Sequence, residues 1–301
     1  MTEQTESPEI SAERTLVLIK PDGVRRNLIG EVLRRVQGKG FALVRLDLRQ
    51  ATADLLAAHY AEHVGKPFYE PLVEFMSSGP VVSAVFEGER VIESFRALAG
   101  ATDPVTAAPG SIRGDLGRDW GTAVQQNIVH GSDSSASAEQ EIGIWYPPGQ
   151  DGAGVFAADG AQTLERTLLL VKPDGVRRGL SGEVLRRVEA KGYRIAGLTQ
   201  RTATPELLAA HYAEHVGKPF YEPLVAFMSS GPVVAAVIEG DRVVEGWRTL
   251  MGATDPASAA PGSVRGDLGR DWGTAVQQNL SHGSDSGASA EREIALWFAP
   301  S

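Results

Sequence analysis

The sequence predicts two tandem copies of one α/β domain, each an α+β sandwich with helices lying on a sheet. Three observations carry this reading. Residues 14–146 align with 166–298 at a constant offset of 152 without a gap. Within each copy, short β-rich apolar runs alternate with stretches of helical periodicity. Turn signals built from Gly, Pro and Asp separate them. Roughly three quarters of the aligned positions are identical, and ERTL, HYAEHVGKPFYEPLV and RGDLGRDWGTAVQQN recur letter for letter. Solenoid units run to about 50 residues, so a period this long makes each copy a complete domain with its own core. The expected organisation is a polar tail over 1–13, a first domain over 14–146, a linker over 147–164 and a second domain over 165–301. The linker is rich in Gly, Ala, Asp and Pro and lacks periodicity, which predicts freedom for the halves to pack in more than one way.

The elements of one copy follow in order. Thr15 to Lys20 (TLVLIK) is a buried strand ended by the turn tripeptide Pro21-Asp22-Gly23. Ile29, Val32, Leu33 and Val36 have helical spacing within Leu28 to Val36, and Gly38 and Gly40 close that helix. Phe41 to Leu48 alternates imperfectly and is read as a strand. Thr52 to Glu62 is a helix capped by Thr52, and a second helix starts at Pro67 and runs to Met76. Pro80 to Phe86 is a strand, Arg90 to Leu98 a helix, and Gly100 to Gly110 a long loop. Ser134 is placed to cap a last helix starting near Ala136. Differences between the copies concentrate in 37–54 and 83–99, whereas the polar residues of the segments discussed below are kept.

Composition narrows the function classes. The chain has 301 residues, no cysteine, 38 Asp+Glu against 29 Lys+Arg and a formal net charge of −9. Absence of Cys excludes a disulfide framework, a thiolate zinc site and a Cys nucleophile, and permits a reducing compartment. Every apolar run is short and broken by charge, and the first residues are polar and acidic. These features argue against a transmembrane helix, a secretory signal and any membrane partner, so a cytoplasmic location is expected. The acidic balance argues against nucleic acid as a partner, although a local cationic pocket remains compatible with it. Neither a Walker A motif nor a G-x-S-x-G elbow occurs, which disfavours a P-loop NTPase and an α/β-hydrolase.

Each copy carries three histidines: His59, His63 and His130, then His211, His215 and His282. His59 and His63 lie four apart, but HYAEH is not the HExxH metalloprotease arrangement, so surface or interhelical roles outweigh a metal pair. His130 differs. It sits in Asn127-Ile128-Val129-His130-Gly131-Ser132-Asp133-Ser134, with Gly131 leaving room beside the ring and Ser132 offering a hydroxyl. Taken alone, this segment also allows a buried histidine satisfied by Ser132. Lys20 at the end of a strand, Arg96 at the end of a helix and Arg113 in a Gly-rich segment are candidate phosphate readers. Each could instead be a solvated surface cation, and the second copy repeats them as Lys172, Arg248 and Arg265.

Four segments in this order, Lys20-Pro21-Asp22-Gly23-Val24, Met76-Ser77-Ser78-Gly79-Pro80-Val81, Pro109-Gly110-Ser111-Ile112-Arg113-Gly114-Asp115 and the His130 segment, closely resemble nucleoside diphosphate kinase. The resemblance covers essentially all of both copies. It implies a ferredoxin-like fold with an antiparallel four-stranded sheet covered by helices in each copy. It also implies ping-pong transfer of the γ-phosphate of a nucleoside triphosphate to a histidine and then to a nucleoside diphosphate. His130 then matches the nucleophile, and imidazole suits the task because its reference pKa is near 6.5. Glu141 matches the carboxylate on the other ring nitrogen, and Ser132 the hydroxyl near that pair. Lys20, Arg96 and Arg113 match the phosphate-binding cations, with Tyr60 and Thr102 completing the pocket. Phe68 matches the aromatic that stacks on the base, Val124 its apolar opposite side, and Asn127 with Lys20 the sugar contacts. Stacking accepts every base, so weak base discrimination is implied. The second copy has Lys172, Tyr212, Phe220, Arg248, Thr254, Arg265, Asn279, His282, Ser284 and Glu293 at matching places, so neither copy resembles a dead pseudoenzyme. Mg²⁺ is expected with the nucleotide, held through phosphates rather than by a protein cage.

Two features depart from the family. Leu116 to Gln126, with its copy Leu268 to Gln278, is about four residues longer than the usual spacing, which leaves the match of Val124 open. Trp120 within it reads as core or interface packing ahead of a new pocket wall. The tandem fusion is the second departure, since members are usually single-domain chains forming hexamers or tetramers. A homo-oligomer is expected, and three two-domain chains would make a pseudo-hexamer, although other closures are equally open. The competing class is an interaction or regulatory module using the same fold with little turnover.

Overall fold

The computed structural model describes residues 12–119, 126–148, 164–271 and 278–299. In the first half, β1 (Glu13–Ile19) leads into α1 (Pro21–Arg25), α2 (Ile29–Gln37) and β2 (Ala42–Gln50). Then come α3 (Ala53–His59), a 3-10 turn (Ala61–His63), α4 (Tyr69–Ser77), β3 (Pro80–Gly88) and α5 (Val91–Ala99). Last are α6 (Ile112–Leu116), β4 (Val129–Gly131) and α7 (Ser135–Trp145). The second half repeats the order. It has β5 (Glu165–Val171), α8 (Pro173–Arg177), α9 (Ser181–Ala190), β6 (Arg194–Thr202), α10 (Pro205–His211) and a 3-10 turn (Ala213–His215). These are followed by α11 (Tyr221–Met228), β7 (Pro232–Gly240), α12 (Val243–Met251), α13 (Val264–Leu268), β8 (Ser281–Gly283) and α14 (Gly287–Trp297).

Several elements have visible local causes. Thr52 accepts a hydrogen bond from the Leu55 amide and so caps α3, but the helix stops at His59 and a separate 3-10 turn follows. The helix expected from Pro67 begins two residues later, at Tyr69. Ser134 and Ser137 form a reciprocal capping box at the start of α7. The imperfect alternation of 41–48 has a structural cause: the β2–β3 register shifts between Leu43 and Arg45, a bulge that resets which face each side chain meets. Two short helices escaped the sequence reading, α1 where only a turn was expected and α6 within the Gly-rich segment around Arg113.

All strand pairings are antiparallel, and the order in each half, β4-β1-β3-β2 and its copy, is the α/β ferredoxin-like arrangement. The expectation of two separate four-stranded sheets is corrected. The strands form one eight-stranded sheet, β4-β1-β3-β2-β6-β7-β5-β8, because β2 of one half pairs with β6 of the other at Asp47↔Thr199. The physical reason is that β2 and β6 would otherwise be edge strands with unpaired backbone groups, and each satisfies the other. Helices α2 and α9 cross over this seam at close range: a Cβ added to Gly30 would overlap the backbone of Arg186, and one on Gly182 that of Arg34.

Both faces of the sheet are buried. Val17 and Ile19 point to one core that runs through both halves and includes Val32, Leu33 and Val36 of α2 with Val184, Leu185 and Val188 of α9. Leu16 and Leu18 point the other way, into a core with Leu56, Phe75, Met76 and Trp145. This two-sided burial is why β1 reads as a continuous apolar run rather than an alternating one. Trp120, Val124, the copied segment 272–277 and most of the 147–164 stretch lie outside the described residues. Among the described residues no helix is long and apolar enough to cross a membrane.

Candidate active site

Strand β4 is only three residues long, yet its position is set by contacts from distant parts of the chain. His130 lies opposite Leu18 in the β1–β4 ladder. Just before it, Ile128 has φ of 71°, an unusual conformation for a β-branched residue. Two contacts hold it there: the buried Asp22 carboxylate accepts its amide at 3.1 Å, and its carbonyl accepts the Lys20 amide at 2.7 Å. Leu280 repeats the geometry with φ of 69°, its amide donating to Asp174 at 3.1 Å. From the sequence Asp22, repeated as Asp174, reads only as a turn residue. Their letter-for-letter repetition was the available signal.

The imidazole of His130 is oriented by Glu141 on α7. Its Nε2 lies 2.9 Å from Glu141 Oε1, and Ser132 Oγ donates to Oε2 at 2.6 Å. Ser132 also accepts the Leu16 amide at 3.1 Å, which ties this cluster to β1. The alternative in which Ser132 satisfies the histidine directly is therefore corrected: the hydroxyl serves the carboxylate, because Glu141 lies between the two. Burial alone pushes the Glu141 carboxyl up, but the His130 and Ser132 hydrogen bonds and the neighbouring imidazoles outweigh it and hold it below the usual range.

A cavity of about 730 Å³ opens beside this pair, lined among others by Lys20, Arg96, Thr102, Arg113, Asn127 and His130, with Glu141 in its wall. Lys20 is buried, and its Nζ donates to Asn127 Oδ1 at 2.6 Å. Burial first, and the Arg113 charge second, lower its pKa to about 8. Arg113 is fixed by carbonyls: Nη1 donates to Gly100 at 2.8 Å, Nη2 to Val129 at 2.7 Å and Nε to Asn127 at 3.3 Å. A guanidinium has five N–H donors, so two remain for an anion. Its pKa is lowered to about 10 by burial and then by Arg96. Asn127 Nδ2 donates to the Thr102 carbonyl at 2.7 Å.

Ser132, which sits behind Glu141, and Tyr60 and Phe68, all singled out in the sequence, stand outside this lining. Tyr60 is buried behind it, edge-on to His59 and stacked at 6.0 Å on His63, and burial raises its pKa. Phe68 is 41% exposed and packs edge-on at 5.2 Å against His63, which does line the cavity. The aromatic therefore stands at the rim, with Lys66 Nζ 5.8 Å over its ring.

His59 proves to be an interhelical residue. Its ring meets that of His130 edge-to-face at 4.9 Å, and Trp145 Nε1 donates to its Nδ1 at 3.3 Å. Burial above all, and the His130 ring next, lower its pKa to about 3, so it stays neutral. His59, His130 and Glu141 each bring one donor atom within 4.8 Å of the others. They do not suit a metal ion. An indole only donates, so His59 Nδ1 must accept and its proton sits on Nε2, leaving no lone pair there. Both Glu141 oxygens are already engaged. Mg²⁺ prefers oxygen ligands, and Lys20, Arg96 and Arg113 in the lining suit phosphates that bring their own Mg²⁺ rather than a protein cage.

The second half repeats the arrangement. His282 Nε2 is 2.9 Å from Glu293 Oε2, which also accepts Ser284 Oγ at 2.8 Å. Lys172 Nζ donates to Asn279 at 2.6 Å, Arg265 binds the Gly252, Ser281 and Asn279 carbonyls, and Asn279 reaches the Thr254 carbonyl at 2.7 Å. Arg248 lines a surface depression with Gly252 and Asp285. Tyr212 is buried, and Phe220 is 42% exposed beside His215. Two replacements touch the strand of His282: Ser281 stands where the first half has Val129, and Trp247, where the first half has Phe95, donates its Nε1 to the His282 carbonyl at 3.2 Å.

Comparison with known proteins gives consistent findings. A family model described as nucleoside diphosphate kinase matches twice, over residues 13–150 and 165–301. The nucleoside diphosphate kinase of Thermobifida fusca (strain YX) is 62% identical over 135 residues, which are 45% of this chain and 97% of that protein. That of Streptomyces avermitilis is 60% identical over 137 residues, again 45% of this chain and 97% of the relative. Among solved structures, the apo cubic crystal form of nucleoside diphosphate kinase from Encephalitozoon cuniculi is 38% identical with a TM-score of 0.42. The match covers 44% of this chain and 88% of that one.

Proposed function

The chain belongs to the nucleoside diphosphate kinase family as a tandem duplication, and from that premise we propose a ping-pong phosphotransferase with one active site in each half, the domains spanning 14–146 and 165–301. In the first half-reaction His130 Nδ1 attacks the γ-phosphorus in line. The N–P bond forms as the bond to the β,γ-bridging oxygen breaks, and the nucleoside diphosphate leaves with that electron pair. In the second, a terminal β-phosphate oxygen of another nucleoside diphosphate attacks the phosphohistidine and frees the ring. The observation that carries this reading is the commitment of His130 Nε2 to Glu141 beside a cavity lined by Lys20, Arg96 and Arg113. With Nε2–H held, the lone pair sits on Nδ1, and Glu141 supports the positive charge that develops as N–P bonding proceeds.

The transferring group carries its charge on non-bridging oxygens, so catalysis consists mainly of positioning and charge stabilisation. Lys20 and the two uncommitted Arg113 N–H groups serve the inner phosphates, and the exposed Arg96 serves the entering end. Bound through the nucleotide phosphates, Mg²⁺ would supply further charge neutralisation there. Phe68 stacks on the base, and Asn127 with Lys20 holds the sugar. His282, Glu293, Ser284, Lys172, Arg248, Arg265, Thr254, Asn279, Tyr212 and Phe220 take the same roles in the second half. Three chains closing into a pseudo-hexamer complete the proposal, and native mass measurement checks that assembly.

The test is the stoichiometry of acid-labile, alkali-stable phosphate after brief incubation with γ-labelled ATP and Mg²⁺, followed by unlabelled GDP. Two labels per chain, discharged by GDP, are expected, falling to one in either His130→Ala or His282→Ala. Absence of label, or label surviving both substitutions together, would leave the fold as an interaction scaffold.

A further inference from the structure

The two halves are related by a pseudo-twofold axis at the β2–β6 seam, and they are not interchangeable there. Asp47 and Thr199 occupy the same position in the repeat and stand directly opposite each other. Both are buried, at 7% and 9% exposure. Thr199 Oγ1 donates to Asp47 Oδ1 at 2.8 Å, while Arg49 in the same strand donates to Oδ2 at 2.8 Å. The carboxylate is thus satisfied from two sides, one of which comes from the other half.

A first half set against another first half would meet a different axis. Asp47 would face Asp47, and each Arg49 would still hold one oxygen. The hydroxyl donor would be gone, and two carboxylates would confront each other at a buried site where charge repulsion is poorly screened.

A second pair of contacts has diverged in the same sense. The Glu189 carboxylate of α9 accepts the Ile29 and Gly30 amides at the start of α2, at 3.1 and 2.7 Å. The reciprocal contact is made by an amide, Gln37 Oε1 accepting from Gly182 at 2.8 Å. Part of the surrounding framework is kept, namely Gly30 and Gly182 at the helix crossing and Glu31-Arg34-Arg35 matched by Glu183-Arg186-Arg187, while Gln200, where the first half has Leu48, adds a contact to the Leu43 carbonyl at 3.2 Å. Both of these diverged pairs therefore lie where one half meets the other.

We propose that this interface is heterospecific: the α2–β2 surface of the first half fits a second half and rejects another first half, with Asp47 and Thr199 as the discriminating pair. In any assembly of several chains, halves then pair first with second, whether within one chain or exchanged between chains.

The experiment uses the full chain and reads the thermal unfolding midpoint together with amide hydrogen exchange in β2 and β6. Thr199→Asp builds the first-half-on-first-half axis inside the molecule. A fall in midpoint of about 5 °C or more is expected, with faster exchange in these two strands than in β1 and β5. Thr199→Asn, similar in size to Asp but uncharged, is expected to stay within about 2 °C of the unaltered chain. The reversed pair, Asp47→Thr with Thr199→Asp, is expected to recover most of the loss. Arg201 is held on the Trp297 carbonyl as Arg49 is on that of Trp145, and so stands ready to pair with the new carboxylate. An unchanged Thr199→Asp protein would overturn the proposal. So would Thr199→Asn as damaging as Thr199→Asp, or a reversed pair no better than the single substitution.

Discussion

Lys20 shows how one side chain can answer to two demands of opposite sign. Burial and the Arg113 charge lower its pKa from 10.5 to about 8, and the same holds for Lys172 beside Arg265. Between about pH 8 and 10.5 the unfolded chain binds the proton that the folded chain has lost, so stability rises with pH across that window. Phosphate binding needs the charged form, so activity should move the other way. A kcat/KM profile, which reports the free enzyme, is expected to fall above about pH 8 while the unfolding midpoint in the same buffers does not fall with it. A flat kcat/KM through pH 9.5 would show that Lys20 is not the group that reads phosphate. His59 makes a related point about legibility. HYAEH was visible in the sequence, but only the Trp145 indole settles which ring nitrogen carries the proton.

At the scale of elements, the crossing of α2 and α9 rests on two glycines. Neither Gly30 nor Gly182 has a positive φ; what matters is the absence of a Cβ where the opposing backbone passes. Gly30→Ala in the full chain is expected to destabilise by about 1–3 kcal/mol through overpacking, measured by urea unfolding. Gly143→Ala on α7 provides the control: a Cβ there meets open space, and the native residue at the matching position of α14 is already Ala295. In an exposed helix that change is expected to be neutral or slightly stabilising. Equal losses in the two variants would show that helix crossing is not the constraint. Helix periodicity and caps were readable because they are local. The close approach was not, because it depends on residues about 150 positions apart.

For the whole molecule, the seam ties folding to pH through Glu189. Burial raises its pKa to about 7, and the two amides it accepts only partly offset this. Between about 4.5 and 7 the folded chain holds a proton that the unfolded chain has released, so this group makes stability fall as pH rises through that window. Glu189→Gln should flatten the profile there by on the order of 1–3 kcal/mol, with a neutral amide on both sides of the seam. Denaturant midpoints at pH 4.5, 6 and 8 measure it, and an unchanged slope would place the titration elsewhere.

The sequence by itself determined the duplication, the three longer strands and most of the helices in their order, the caps at Thr52 and Ser134, and the family. All of these rest on a repeat or on local spacing that folding leaves intact. Even the broken alternation of 41–48 was legible as an irregularity, though not as the bulge it is. Tertiary structure decided that two sheets become one, since edge strands bury their free backbone groups only when a partner is present. It also decided that Asp22 holds the turn before His130, that Ser132 serves Glu141, and that Asp47 meets Thr199. Asp22 and Ile128, like Asp47 and Thr199, lie more than a hundred residues apart. Contacts of that kind leave no periodic trace, because what selects them is the energy of leaving a buried polar group without its partner.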